Sequence, residues 1–85
     1  MRRSKVEIIA DIIMSTNGVG ATKTQIVYKA NLNFKLATKY LEYLMEKGYV
    51  REAERKGRKV FVSTEKGQAF LRKFFEIARD LHSFP

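Results

Sequence analysis

The sequence predicts a mostly helical α+β domain: three short helices, a small β-hairpin and a longer closing helix. Three observations predict it. Apolar residues recur at helical spacing over three stretches before Gly48 and over one after Thr64. Between Tyr49 and Ser63 the pattern changes to alternation, interrupted at Gly57. Each helical stretch follows a residue able to cap a helix: Ser4, Thr22, Asn33 and Thr64.

The first helix is expected from about Lys5 to Thr16. Glu7, three residues after Ser4, completes a capping box, and Val6, Ile9, Ala10, Ile13 and Met14 form an inward stripe broadened by Ile8 and Ile12. Two glycines in Asn17-Gly18-Val19-Gly20 end it. Thr22 and Gln25 make a second capping box, starting a short helix to about Ala30 that buries Ile26, Val27 and Ala30; Tyr28 fits either core or surface. Asn31-Leu32-Asn33 reads as a tight turn whose leucine plugs the core.

The central helix runs from the Asn33 cap to Gly48, which suits a left-handed helix end, with Lys47 at the negative end of the dipole. Phe34, Ala37, Leu41, Leu44 and Met45 form its buried stripe, widened by Leu36, Tyr40 and Tyr43. Outside remain Lys35, Thr38 and Lys39, then Glu42 and Glu46. Two strands follow, Tyr49 to Glu54 and Lys59 to Ser63, joined by Arg55-Lys56-Gly57-Arg58 with Gly57 as the positive-φ residue. The last helix spans Glu65 to His82.

Eighty-five residues make one small domain, or one domain with an oligomerisation element, and 45% hydrophobic content argues for a folded globule. The absence of cysteine removes disulfides and thiolate metal sites. The basic start, Met-Arg-Arg-Ser-Lys, precedes no long apolar run, so neither a signal peptide nor a membrane span is expected; the expected location is cytoplasmic and nucleoid-associated. The single histidine, His82, has no second ligand-type partner, and no phosphate-binding glycine loop or nucleophile elbow occurs. No catalysis, cofactor, metal or small-molecule ligand is therefore expected.

The net charge of +8 calls for an anionic partner. No acid occurs between Asp11 and Glu42, where Lys23, Lys29, Lys35 and Lys39 lie, nor between Glu54 and Glu65, where Arg55, Lys56, Arg58 and Lys59 lie. Two helices joined by a turn of three or four residues, the second basic at its start, form a helix-turn-helix unit, and the basic-tipped hairpin is a wing. Residues 1–64 would make the winged DNA-binding domain, and residues 65–85 a helix for dimerisation.

The element order is that of winged helix-turn-helix domains. The stretches KVEIIADII, YKANLNFKLATKYLEYLMEKGYV and VFVSTEKGQAFL resemble archaeal winged-helix regulators, nearest to the small Sulfolobus ten-kilodalton DNA-binding proteins of the 10a type. The resemblance covers nearly the whole chain. It implies binding of double-stranded DNA by a homodimer joined through antiparallel C-terminal helices; here the last helix is shorter than in that family.

On this reading Lys35, Thr38 and Lys39 face the major groove and Asn33 caps their helix. Thr22, Lys23 and Thr24 offer a helix start to a phosphate, and Arg55, Lys56 and Arg58 reach the backbone or minor groove. Each cation taken singly is more often an ordinary solvated charge; three clusters on consecutive elements favour binding. Two lysines and a threonine are poor readers of base edges, so a salt-sensitive, weakly specific component is expected. A winged-helix protein-interaction module and an RNA binder stay open as alternatives. On the last helix Phe70, Ile77 and Phe84 recur every seven residues, while Leu71, Phe74, Ala78 and Leu81 follow the spacing of a coiled-coil seam. That apolar arc is too wide for one surface and predicts a homodimer, taken as antiparallel; the alternative is a helix that folds back over its own core.

Overall fold

In the computed structural model, which describes residues 3–85, the chain runs α1 (Lys5–Ser15), α2 (Lys23–Lys29), α3 (Phe34–Glu46), β1 (Val50–Arg55), β2 (Arg58–Ser63) and α4 (Glu65–His82). Met1 and Arg2 of the basic start lie outside the described residues.

All four caps form. The Ser4 hydroxyl accepts from the Glu7 amide at 3.2 Å, and the Ser4 amide donates to the Glu7 carboxylate at 2.8 Å. Thr22 and Gln25 make the same reciprocal pair at 3.2 and 2.9 Å. Asn33 Oδ1 accepts from the Leu36 amide at 2.7 Å. Thr64 Oγ1 accepts from the Gly67 amide and donates to the Gly48 carbonyl at 2.6 Å.

The backbone bond from Ser4, followed by its hydroxyl, holds the Glu7 carboxyl below the usual glutamate range. A depressed folded-state pKa contributes stability above the unfolded glutamate value and loses it as pH falls through the folded one. Amide exchange at Ser4 and Glu7 should therefore quicken, relative to the middle of α1, as pH drops below the ordinary glutamate value. Unchanged relative protection would contradict this capping account.

The α2–α3 turn is set by backbone chemistry. Asn31 takes the left-handed conformation (φ 54°), its amide donates to the Tyr28 carbonyl, and the Leu32 amide donates to the Val27 carbonyl at 3.0 Å. This is a Schellman ending with asparagine where glycine is usual, and it tucks Leu32 against the core. α3 ends the same way at Gly48 (φ 83°), with Gly48 bonding Met45 at 3.1 Å and Tyr49 bonding Leu44 at 2.8 Å. The cation that reaches this helix end is Lys66, whose ammonium donates to the Lys47 carbonyl at 2.7 Å; Lys47 is itself the C-cap.

β1 and β2 pair antiparallel from Val50↔Ser63 to Arg55↔Arg58. The turn is thus the two residues Lys56 and Gly57, both at positive φ (53° and 77°), not the expected four. Ala21 adds a one-residue bridge on the other side of β2, exchanging bonds of 3.0 and 2.8 Å with Phe61. β2 is thereby flanked on both edges, and Val60, Phe61 and Val62 are buried in succession instead of alternating.

The core gathers Ile12, Ile13, Ile26, Leu41, Leu44, Val50, Phe61 and Leu71. Val6, Met14, Phe34 and Tyr43, expected on inward stripes, are exposed: the stripes are wider than the surface such a small core offers. Tyr28 lies on the surface. The first half of α4 packs on the core. Gly67 is buried against the Tyr49 backbone, Leu71 is 4% exposed, and Phe70 and Phe74 pack on the core. The winged core therefore extends about halfway along α4.

Candidate nucleic-acid interface

Lys35 and Lys39 are one helical turn apart on α3, and Glu42 and Glu46 continue the same outward stripe. The stripe changes from cationic to anionic along the helix, so its amino-terminal half suits a polyanion and its carboxy-terminal half repels one. Both lysines are exposed, and among the described residues neither makes a salt bridge; the ion pairs there are Arg3–Asp11 at 2.6 Å and Lys59–Glu52 at 3.3 Å. Thr38 lies a quarter-turn aside, half-buried.

The structure joins the start of α2 to this stripe. Lys23 Nζ donates to Thr38 Oγ1 at 3.0 Å, so a residue expected at a helix start and one expected in the groove form one contact. The Thr22 hydroxyl and amide are both engaged by Gln25, and Thr24 is exposed beside them. α2 is seven residues long and its start is already capped by the Thr22–Gln25 pair. Asn33 acts as the cap, as expected. Arg3 adds a support that the sequence did not reveal: besides Asp11 it bonds the Asn31 carbonyl at 3.0 Å, tying the start of α1 to the α2–α3 turn.

The wing tip is a second cationic group. Arg55 and Arg58 stand directly opposite each other, with Lys56 in the turn between them, and all three are exposed. Like charges directly across a hairpin cost on the order of 0.2–1 kcal/mol. No acid stands opposite either arginine in the ladder.

The residues expected to pair α4 helices divide into two sets. Leu71 belongs to this chain's own core and is not available to a second helix. Phe70 and Phe74 are half-buried and stack at 6.1 Å between ring centroids. Ile77 (58% exposed), Leu81 (70%) and Phe84 (80%) are exposed, as is Ala78; Ile77, Ala78 and Leu81 border, with Val6 of α1, a groove of about 540 Å³.

The sequence pattern of the winged helix-turn-helix family matches residues 2–82. An uncharacterised protein of Methanocaldococcus jannaschii, MJ0290, is 32% identical over 79 residues; the match takes in 93% of this chain but only 36% of that protein. A second uncharacterised protein of the same organism, MJ0287, is 29% identical over 84 residues, covering 99% of this chain and 82% of that one. Among solved structures, Sso10a-2, a DNA-binding protein from Sulfolobus solfataricus, superposes with a TM-score of 0.75 at 29% identity, covering 95% of this chain and 87% of that one. MepR, a transcription regulator of a Staphylococcus aureus multidrug efflux pump, superposes at 0.77 with 15% identity over 93% of this chain and 60% of its own, a likeness of fold alone. With α2 and α3 joined by a tight turn, β1 and β2 forming a wing, and a family pattern spanning nearly every residue, the chain belongs to the winged helix-turn-helix family.

Proposed function

We propose that this protein binds double-stranded DNA, as a transcriptional regulator or chromosome-associated protein acting by binding and not by catalysis. The observation that carries the reading is the pair of exposed cationic groups, Lys35 with Lys39 at the start of α3 and Arg55 with Lys56 and Arg58 at the wing tip, on two outward surfaces. The amino-terminal half of α3 enters the major groove, with Lys23 and Thr38 at its side, and the wing follows the backbone or adjacent minor groove. The likeness to the DNA-binding protein Sso10a-2 supports the same reading. Its place would be on chromosomal DNA in the cytoplasm.

The wing supplies the test. The variant Arg55→Ser, Lys56→Asn, Arg58→Ser keeps the turn, because asparagine tolerates positive φ, and removes three charges. It should weaken binding about evenly across duplex sequences, by about tenfold or more near physiological salt. Fluorescence anisotropy against several unrelated duplexes measures this. Loss of discrimination between duplexes with bulk affinity retained would show that the wing reads bases, and unchanged affinity would remove it from the interface.

We further propose that the protein is a homodimer through the second half of α4. Support comes from Ile77 and Leu81, exposed one helical turn apart and bordering a groove with Val6, and from Phe84, exposed just past the helix end. Antiparallel pairing would cover this face and hold two α3 helices for two half-sites. Because Leu81 is 70% exposed in the single chain, Leu81→Glu tests the interface without touching the core. A symmetric dimer loses the residue twice, at roughly 1.5–3 kcal/mol each, so dissociation should strengthen by at least about a hundredfold. Light scattering should give twice the chain's 9.9 kDa for the wild type and a mass approaching 9.9 kDa for the variant at the same micromolar concentration. A wild type that stays at 9.9 kDa would contradict the dimer.

A further inference from the structure

We propose that the groove between α1 and α3 binds a small aromatic carboxylate, and that this ligand competes with duplex DNA for Lys39. The second half of the proposal rests on the DNA reading above; the first does not.

The groove encloses about 510 Å³ and is bordered by Lys5 and Ile9 of α1 and by Leu36, Lys39, Tyr40 and Tyr43 of α3. That volume lies within the range of about 300–1,000 Å³ usual for small-ligand sites. Ile9 and Tyr40 pack against the core, so the floor is apolar and fixed from behind. Leu36 and Tyr43 form apolar walls, and an ammonium stands on each helix at the rim. No acid borders the groove, and among the described residues neither lysine is salt-bridged.

Charge selects the occupant. The groove between α1 and α4 mixes Glu7 with Lys73, and the hollow on the wing is bordered by Glu52 and Glu54 with Lys59. Only the α1–α3 groove, of the three, pairs an apolar floor with cations alone. A flat aromatic ring fits against Tyr40, Tyr43 and Leu36, and its carboxylate accepts from Lys5 and Lys39. A nucleic-acid phosphate would use the ammonium groups but leave the apolar floor unfilled.

The coupling follows from Lys39, which belongs both to the outward cationic stripe of α3 and to the rim of this groove. A carboxylate held there neutralises one of the two lysines offered to the groove of DNA. Binding linkage then requires that DNA weaken the ligand by the same factor.

The test uses naphthalene-2-carboxylate, with the neutral naphthalene-2-carboxamide as its control. Titrated into the full chain without DNA, the acid should shift the amide resonances of the six bordering residues saturably, and the amide should bind at least about tenfold more weakly. Lys5→Gln, which removes a rim charge outside the proposed DNA surface, should weaken the acid about tenfold while leaving duplex affinity unchanged. Saturating acid should raise the apparent Kd for duplex DNA by at least about fivefold, the low end of usual coupling. Absence of saturable shifts, or equal binding of acid and amide, overturns the site. Shifts of the same amides with protein concentration alone would make this face a contact between copies and overturn it too. Saturable binding with unchanged duplex affinity overturns the competition. If the protein fails to bind duplex at all, the DNA reading and the competition fall together, while the amide shifts still decide the site.

Discussion

Replacing Lys35 and Lys39 together by alanine is expected to abolish most duplex binding near physiological salt while leaving the fold intact. Both side chains lie opposite Ala37, Leu41 and Leu44, and alanine is the better helix former, so circular dichroism and thermal stability should hold or improve slightly. Removing two phosphate-binding ammonium groups per chain reduces the slope of log affinity against log salt by about two units. At the binding-relevant concentration this amounts to roughly tenfold to a hundredfold in affinity, doubled in effect if two α3 helices dock at once. The mirror experiment is Glu42→Gln with Glu46→Gln, which removes the repulsive half of the stripe and should strengthen binding. A helix that is not in the groove would respond to neither change.

The largest effect on stability is expected at Gly67. It lies in the first turn of α4, where a Cβ would come within 2.4 Å of the Tyr49 carbonyl oxygen and 3.4 Å of the Ser63 side chain. Both neighbours are anchored: the Tyr49 carbonyl accepts from the Thr64 amide at 3.1 Å, and Ser63 bonds Gln68, which also contacts Asn17. A side chain can be accommodated only by lifting α4 off the end of α3 and breaking the Thr64 cap. Gly67→Val should cost about 3 kcal/mol or more, lowering Tm by more than about 10 °C in a chain of this size. Gly18, where a Cβ would meet nothing within 4 Å, provides the comparison: Gly18→Ala should cost only its backbone strain, about 1 kcal/mol. Equal losses at the two positions would contradict close packing at the α4 start.

What was legible in the sequence was local chemistry. Ser4 with Glu7, Thr22 with Gln25, Asn33 and Thr64 each cap within three residues, so the helix starts followed from spacing alone. Gly48 marked a left-handed helix end for the same reason, and Asn31, read only as part of a tight turn, proves to be another. The hairpin was legible as alternation, but alternation makes its turn two residues too long, because Arg55 and Arg58 look like loop residues and in fact pair.

Features that depend on distant partners were not legible. The Ala21–Phe61 bridge pairs a single residue and leaves no periodicity. The Lys23–Thr38 contact spans fifteen positions, and Arg3 reaches Asn31 across twenty-eight. Periodicity ranks Phe34 and Val6 as buried because it detects an apolar face and not what covers it. Leu71 shows the converse: the three-four spacing on α4 assigns it to a partner helix, when the chain's own core uses it. The cationic stripe of α3 was legible, but the groove beside it is bordered by residues of two helices distant in sequence, α1 and α3.

If the cations of α3 and the wing hold phosphates, duplex binding must weaken steeply as salt rises. Affinity for a mixed-sequence duplex is measured between about 50 and 200 mM salt, where each phosphate contact contributes about −0.9 to the slope. Lys35, Lys39, Arg55, Lys56 and Arg58 together predict a slope of about −4 to −5 per chain, falling by about two units in the Lys35→Ala, Lys39→Ala variant. A wild-type slope near zero, or one that the variant leaves unchanged, would contradict the account.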